Sequence, residues 1–280
     1  MVSEILDESY EILKNHFGNN PPEIKSIIRG DKFVAVQLSD MSIGLSFIEH
    51  EWPQHFPLYY QNKTIDESIQ TYVLGKMACI GEGMEVSYGI ATLNALTSSI
   101  FLNTDKYDYL EDILLLELWR VHLTEGTSVG MVGNMYPLVE ILLEMNCKVI
   151  ILDKHAQDPN KEPLPKEVKL IENSEDLDQI DILIATGSSL VYHSTEELIY
   201  NAKNAKLKAI IGPTVTLPPE PFWDRGVNYI GGSIVTTKYL QTVVAEELRD
   251  PKRYKHQKEI KGALKFNKNT GLKKIGLFKN

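Results

Sequence analysis

At 280 residues, 43% hydrophobic and 24% charged, the chain has the make-up of a globular protein long enough for two modest domains. No apolar run approaches the roughly 20 residues that a spanning helix needs. The acidic opening MVSEILDES lacks the basic-then-apolar layout of a signal peptide, and the two distant cysteines, Cys79 and Cys147, exclude a disulfide framework or a structural zinc site.

These features place the protein in the cytoplasm with no membrane partner. The net charge of −9 is unevenly spread, because residues 251–280 hold ten Lys or Arg against Glu259, which leaves −18 on the first 250 residues. A basic tail after an acidic body can bind nucleic acid. Here the aromatic interleaving is limited to Tyr254, Phe266 and Phe278, so nucleic acid is not the expected partner. The tail reads as solvated or self-docking. Its apolar residues (Leu264, Phe266, Ile275, Leu277 and Phe278) are sparse and irregular, so truncation at Asp250 is expected to leave folding intact.

In chain order, Ile5, Ile12, Leu13 and Phe17 give a first helix that Gly18 stops. EIKSIIRG, KFVAVQLS and IGLSFI follow as a three-stranded antiparallel meander joined by short turns. A capping box, Thr64 with Glu67, announces a second helix. A third, from about Glu85, shows Val86, Ile90, Leu93, Thr97 and Ile100 on one face. Residues 1–103 thus read as an α+β domain, and 104–126 as a helical bridge. From 127 to 250, short Val- and Ile-rich segments alternate with helices, the signature of a doubly wound parallel sheet. Residues 251–280 form the tail.

The second domain opens with a βαβ unit: a strand at Ser128–Val132, a glycine loop at Gly133–Tyr136, a helix begun by Pro137 with the stripe Leu138, Ile141, Leu142 and Met145, and a strand ending at Asp153. Three more strands, DILIAT, KAIIGP and NYIGG, alternate with helices near Thr195–Lys203, Pro219–Arg225 and Thr237–Leu248. Ligands in such sheets bind at the carboxyl ends of the strands, where the strand order reverses. The expected crevice is therefore flanked by Gly133, Asn134, Met135 and Tyr136 and by Thr186, Gly187, Ser188 and Ser189, and bordered by Gly212, Pro213 and Thr214.

GMVGNM permits a nucleotide reading, with Gly130 and Gly133 approaching a phosphate and Asp153 a ribose hydroxyl, as for NAD(P) or S-adenosylmethionine. Its GxxG spacing lacks the third glycine of the dinucleotide fingerprint. The hydroxyls of Thr186, Ser188 and Ser189 suit a carboxylate, phosphate or oxygen-rich chelator. His193, close by, is the candidate acid or base. In EHEWPQH, the residues Glu49, His50, Glu51 and His55 have the ligand types of a divalent-metal site.

Several segments together resemble the family termed "putative heavy-metal chelation" domain. They are Gly130-Met131-Val132-Gly133 with Pro137, Thr186-Gly187-Ser188-Ser189-Leu190, Gly212-Pro213-Thr214, Pro221-Phe222-Trp223 with Arg225-Gly226-Val227, and Gly231-Gly232 before Val235. Tyr88-Gly89-Ile90-Ala91 with Asn94-Ala95 is similar to the end of the domain that usually precedes it. The resemblance implies a Rossmann-like α/β domain behind a smaller, enolase-N-terminal-like α+β domain. It also implies a small polar ligand linked to metal handling, bound in the cleft between them. Tyr192-His193 stands where the family usually has Asn-Gly, and EHEWPQH and the basic tail look like additions. Three readings follow: binding, with or without transformation, of a metal chelator or its precursor; a nucleotide-cofactor enzyme; and a non-catalytic metal sensor or carrier. Whether the chain is catalytic or a homo-oligomer stays open at this stage.

Overall fold

The computed structural model describes residues 3–29, 32–48, 70–111, 120, 122–133, 135–153, 163–235 and 272–278, with the backbone alone for 110–111 and 272–278. The capping box Thr64–Glu67, the segment Glu49–His55, Asn134 and residues 236–271 lie outside that set.

Helix α1 (Glu4–Phe17) starts at Ser3, whose side chain accepts the Leu6 N–H, and ends at Gly18, with Ile5, Leu6, Tyr10 and Leu13 buried. The chain continues through an antiparallel meander, β1 (Ile24–Arg29), β2 (Phe33–Leu38) and β3 (Ile43–Phe47), in the order β1-β2-β3. Helix α3 (Met84–Asn103) covers it, and α2 (Thr71–Ile80) packs on α3. The expected single apolar face of α3 is not what the structure has, because every residue from Val86 to Phe101 is buried. A helix enclosed on all sides needs small side chains where other backbones pass. Gly44 of β3 lies so close to it that a Cβ there would fall 2.1 Å from Ala91 O, and a Cβ on Gly89 would fall 1.9 Å from the backbone N of Ala78 in α2.

Residues 104–126 were expected to be a helical bridge. Within the described part they form a non-helical linker that bends at 105–107, the short strand β4 (Leu110–Glu111) and a turn before Thr127, while residues 112–119, with Ile113, Leu114 and Trp119 of the expected helix, lie outside the described residues. The linker's aromatic residues, Tyr107 and Tyr109, pack on Phe101. The large sheet then builds from β5 (Ser128–Val132), β6 (Lys148–Leu152), β7 (Lys169–Ile171), β8 (Ile182–Thr186), β9 (Leu207–Ile211), β10 (Tyr229–Val235) and β11 (Leu272–Phe278). Its spatial order is β4-β11-β10-β9-β8-β5-β6-β7, and the six strands from β5 to β10 are parallel. Counted along the chain these six stand 3-2-1-4-5-6, the doubly wound arrangement in which the order reverses between β5 and β8. β7 was not anticipated: it is three residues long, and Lys169 and Leu170 are exposed at the sheet edge, so no apolar run marks it.

Helix α4 (Tyr136–Glu144) carries Pro at its first turn and buries Val139 and Leu142, whereas Ile141 is 39% exposed, so the buried stripe is rotated from the expected one. Helices α5 (Thr195–Asn201) and α6 (Glu220–Trp223) follow β8 and β9. One core, with Val129, Met131, Ile182, Ile184 and Tyr229, lies on the α4 side of the sheet. On the other side Leu183, Ala185, Ile210 and Ile230 join a cluster continuous with α1, α2 and α3. Of the two readings of the tail, solvated or self-docking, the second holds for residues 272–278, which pair antiparallel with β10 from Tyr229 to Val235 and with β4. A single strand needs only one row of backbone partners, which β10 offers, so the sparse apolar content of the tail did not reveal it. Among the described residues no helix is long and apolar enough to cross a membrane.

Arg225, just after α6, clasps α1: it donates to both carboxylate oxygens of Glu8 at 2.9 Å and to Glu4 at 3.0 Å. The Arg225 hydrogen bond is the main reason that the Glu8 pKa lies below its ordinary value. A carboxylate acidified on folding adds stability that is present above its unfolded pKa and is lost as pH falls through the folded one. Arg225→Gln is therefore expected to lower the melting temperature at pH 7, by the equivalent of about 1 kcal/mol or less for so exposed a pair. The two proteins should converge as pH falls through the folded pKa of Glu8, and a gap that does not narrow in acid would assign the loss to packing instead.

Candidate functional site

The reversal point brings the ends of β5 and β8 side by side. Gly133 closes the ladder to β6 by donating to Leu152 O at 2.9 Å, and then turns with φ 82°. That left-handed conformation favours glycine. A Cβ on Gly133 would meet Thr186 Cγ2 at 2.9 Å, so the two predicted loops do meet at this point. Asp153 follows β6 at the same edge, half-buried, and Met135 and Tyr136 stand half-buried where α4 begins. The N-cap Met135 makes no side-chain cap hydrogen bond, and the positive end of the α4 dipole lies at this edge. Gly130 has another role from the one expected. It faces the opposite side of the sheet, where a Cβ would lie 2.5 Å from Ile180 Cδ1. Its bareness admits the 3-10 turn Ser174–Gln179 rather than a phosphate.

After β8 the chain makes a second 3-10 turn, Gly187–Leu190. Thr186 Oγ1 and Ser188 Oγ share a hydrogen bond of 3.0 Å, and both residues are half-buried at the crevice. Ser189 points inward instead: its hydroxyl donates to Thr186 O at 2.8 Å and bonds Thr195 Oγ1 at 2.7 Å. Gly187 is buried under Val215, whose Cβ would be 3.0 Å from an added Cβ. The space expected to admit a ligand at Gly187 is therefore filled by protein, and a side chain there would displace Val215.

Beyond β9, Pro213 is half-buried and Thr214 is 2% exposed. Thr214 faces the N-terminal unit rather than the crevice, because its Oγ1 accepts the Phe47 N–H at 3.1 Å and its carbonyl accepts Asn94 Nδ2 at 2.8 Å. His193 adopts φ 51°, and its Nε2 lies 3.1 Å from Ala78 O of α2, so the candidate acid–base braces the turn after β8 against the N-terminal unit. Next to Ala78, burial pushes the Cys79 thiol up to about 12, which keeps it protonated and unsuited to metal ligation. Asn94 entered the sequence reading only within a family resemblance, with no role, and Val215 not at all. The available signal was an amide amid apolar and small residues of α3, a position that demands buried partners.

The metal-ligand set Glu49, His50, Glu51 and His55 lies outside the described residues. Among those described, no group of three or more His, Cys, Asp or Glu could hold a metal ion. The crevice instead offers hydroxyls and a helix N-terminus, donors suited to an anionic ligand's oxygens rather than to a bare cation.

A sequence profile whose description reads "Putative heavy-metal chelation" (DUF364) matches residues 115–257. An uncharacterised protein of Methanocaldococcus jannaschii is 25% identical over 176 residues, which is 61% of this chain and 61% of that protein, less than two thirds of its length. The crystal structure of a DUF364 protein of unknown function from Desulfitobacterium hafniense DCB-2 aligns with TM-score 0.64 and 21% identity over 98% of both chains. Another, from Pyrococcus horikoshii, does so with TM-score 0.67 and 20% identity over 99% of both. At such identities these two show the fold. The profile spans just over half of the sequence, and by that match the chain belongs to the DUF364 family, described as putative heavy-metal chelation.

Proposed function

We propose that the chain binds a small anionic, oxygen-rich metabolite of metal handling, a chelator or its precursor, in the crevice between the ends of β5 and β8. The observation that carries this reading is the meeting of Gly133, at φ 82°, with Thr186 where the strand order reverses, beside the paired hydroxyls of Thr186 and Ser188. The start of α4, where the N-cap Met135 makes no side-chain cap hydrogen bond, adds partial positive charge. The family description supports the link to metals. In this reading the metal arrives in the ligand's own oxygens, and His193 braces a loop rather than moving a proton.

Calorimetric titration with citrate and with nickel citrate as probes, beside NAD and S-adenosylmethionine, tests it. Saturable binding of a polycarboxylate is expected. At 100 times the dissociation constant the ligand should stabilise the fold by about 2.7 kcal/mol. Ser188→Ala should weaken binding roughly tenfold, the worth of about 1.4 kcal/mol for one hydrogen bond to a charged group, with the melting temperature of the free protein nearly unchanged. No heat from either polycarboxylate would sink the proposal. Saturation by NAD or S-adenosylmethionine instead would make the protein a nucleotide binder.

A further inference from the structure

Asn94 is completely buried in the middle of α3. An amide in such a place is costly unless it is hydrogen-bonded. Its Nδ2 donates to two carbonyls far apart in sequence, Leu45 O of β3 at 2.6 Å and Thr214 O after β9 at 2.8 Å. Thr214 is tied a second time through Phe47 N–H, and Phe47 O in turn accepts the Ser87 hydroxyl of α3 at 2.7 Å. The turn after β9 is thereby held by the N-terminal unit at two points. The next residue, Val215, lies on Gly187, with its backbone nitrogen 3.1 Å and its Cβ 3.0 Å from where a Gly187 Cβ would be. Such tight contact leaves the turn after β8 no room to shift independently of Val215.

We propose that Asn94 is a positioning residue for the crevice: through Thr214 and Val215 it fixes where the turn Gly187–Leu190 stands, and with it the Ser188 hydroxyl bonded to Thr186. Asn94 Oδ1 has no hydrogen-bond partner although it is buried. The amide is thus retained for its two donations at the cost of an unsatisfied acceptor. The consequence for binding rests on the crevice being the ligand site. The loop geometry itself does not.

Hydrogen exchange of the ligand-free full chain tests this separately from any titration. In Asn94→Ala, the amides of Val191, His193 and Ser194, which donate to Ser188, Leu190 and Ser189 carbonyls, should exchange at least tenfold faster, as should Val215. The amides of β6 should be unchanged, and so should every one of these sites in Ser98→Ala, one helical turn further along α3. Should Asn94→Ala fail to fold, Thr214→Val removes the acceptor of the Phe47 N–H while keeping the Thr214 carbonyl, and the same amides should accelerate. Unchanged exchange at 191–194 in a folded variant overturns the proposal, as does acceleration that β6 shares in full. Failure of both variants to fold also overturns it, by assigning Asn94 to stability alone.

Discussion

Replacing Gly89 by alanine is expected to lower the melting temperature by roughly 10 °C, at 2 to 4 °C per kcal/mol for a protein of this size. The added methyl carbon would sit 1.9 Å from the backbone nitrogen of Ala78 and 2.6 Å from its Cα. Neither atom can rotate away, so α2 must be pushed off α3 at a cost of about 3 kcal/mol or more, the upper end for overpacked cores. Gly75→Ala, in α2 and facing α3, is the paired measurement. There the nearest atom is Leu93 Cδ2 at 3.2 Å, the tip of a flexible side chain. The gain in helix propensity of about 1 kcal/mol should outweigh its displacement. The two alanines should therefore move stability in opposite directions, and equal tolerance of both would mean that the helices do not touch backbone to backbone.

Deleting residues 272–280 is expected to cost several kcal/mol and to cause self-association. Strand β11 pairs with β10 over seven residues, from Tyr229–Phe278 to Val235–Leu272. Each net backbone hydrogen bond contributes on the order of 1 kcal/mol. β10 would be left as an open edge, and open edges recruit other strands. Denaturant unfolding and size-exclusion chromatography of the truncated chain measure the two effects. An unchanged midpoint with a monomeric elution volume would show that the strand is an accessory rather than a closing member of the sheet.

The sequence announced the parts whose pattern matches their burial. β5, β6, β8 and β9 sit under helices on both faces, so their Val- and Ile-rich runs are continuous, and the meander β1–β3 was marked by its short turns. α3 was found as a helix but misread as amphipathic, because Ser87, Thr92, Asn94, Ser98 and Ser99 look like a wet face. They are buried: Thr92, like Thr97, returns its hydroxyl to the carbonyl four residues back, and Ser87 and Asn94 reach across to Phe47, Leu45 and Thr214. β7 and β11 were missed because their register is supplied by a neighbouring strand rather than by their own composition. In the crevice, the meeting of the loops after β5 and β8 followed from strand order. The inward turn of Ser189 and Thr214 could not be read in advance, since a hydroxyl's direction depends on partners such as Thr195 and Phe47.

The start of α1 is completed by a residue from far along the chain: Glu196 Oε1 accepts the Ser3 hydroxyl at 2.6 Å and the Ile5 N–H at 2.9 Å, across separations of 193 and 191 residues. At a synthesis rate of roughly 5 to 20 residues per second, the first helix waits about 10 to 40 s for its cap to leave the ribosome. Arg225, which grips the same helix through Glu4 and Glu8, comes later still. A segment made before its partners is thus fixed after them, and until then its apolar side, Ile5, Leu6 and Leu13, stays open to whatever else is nearby.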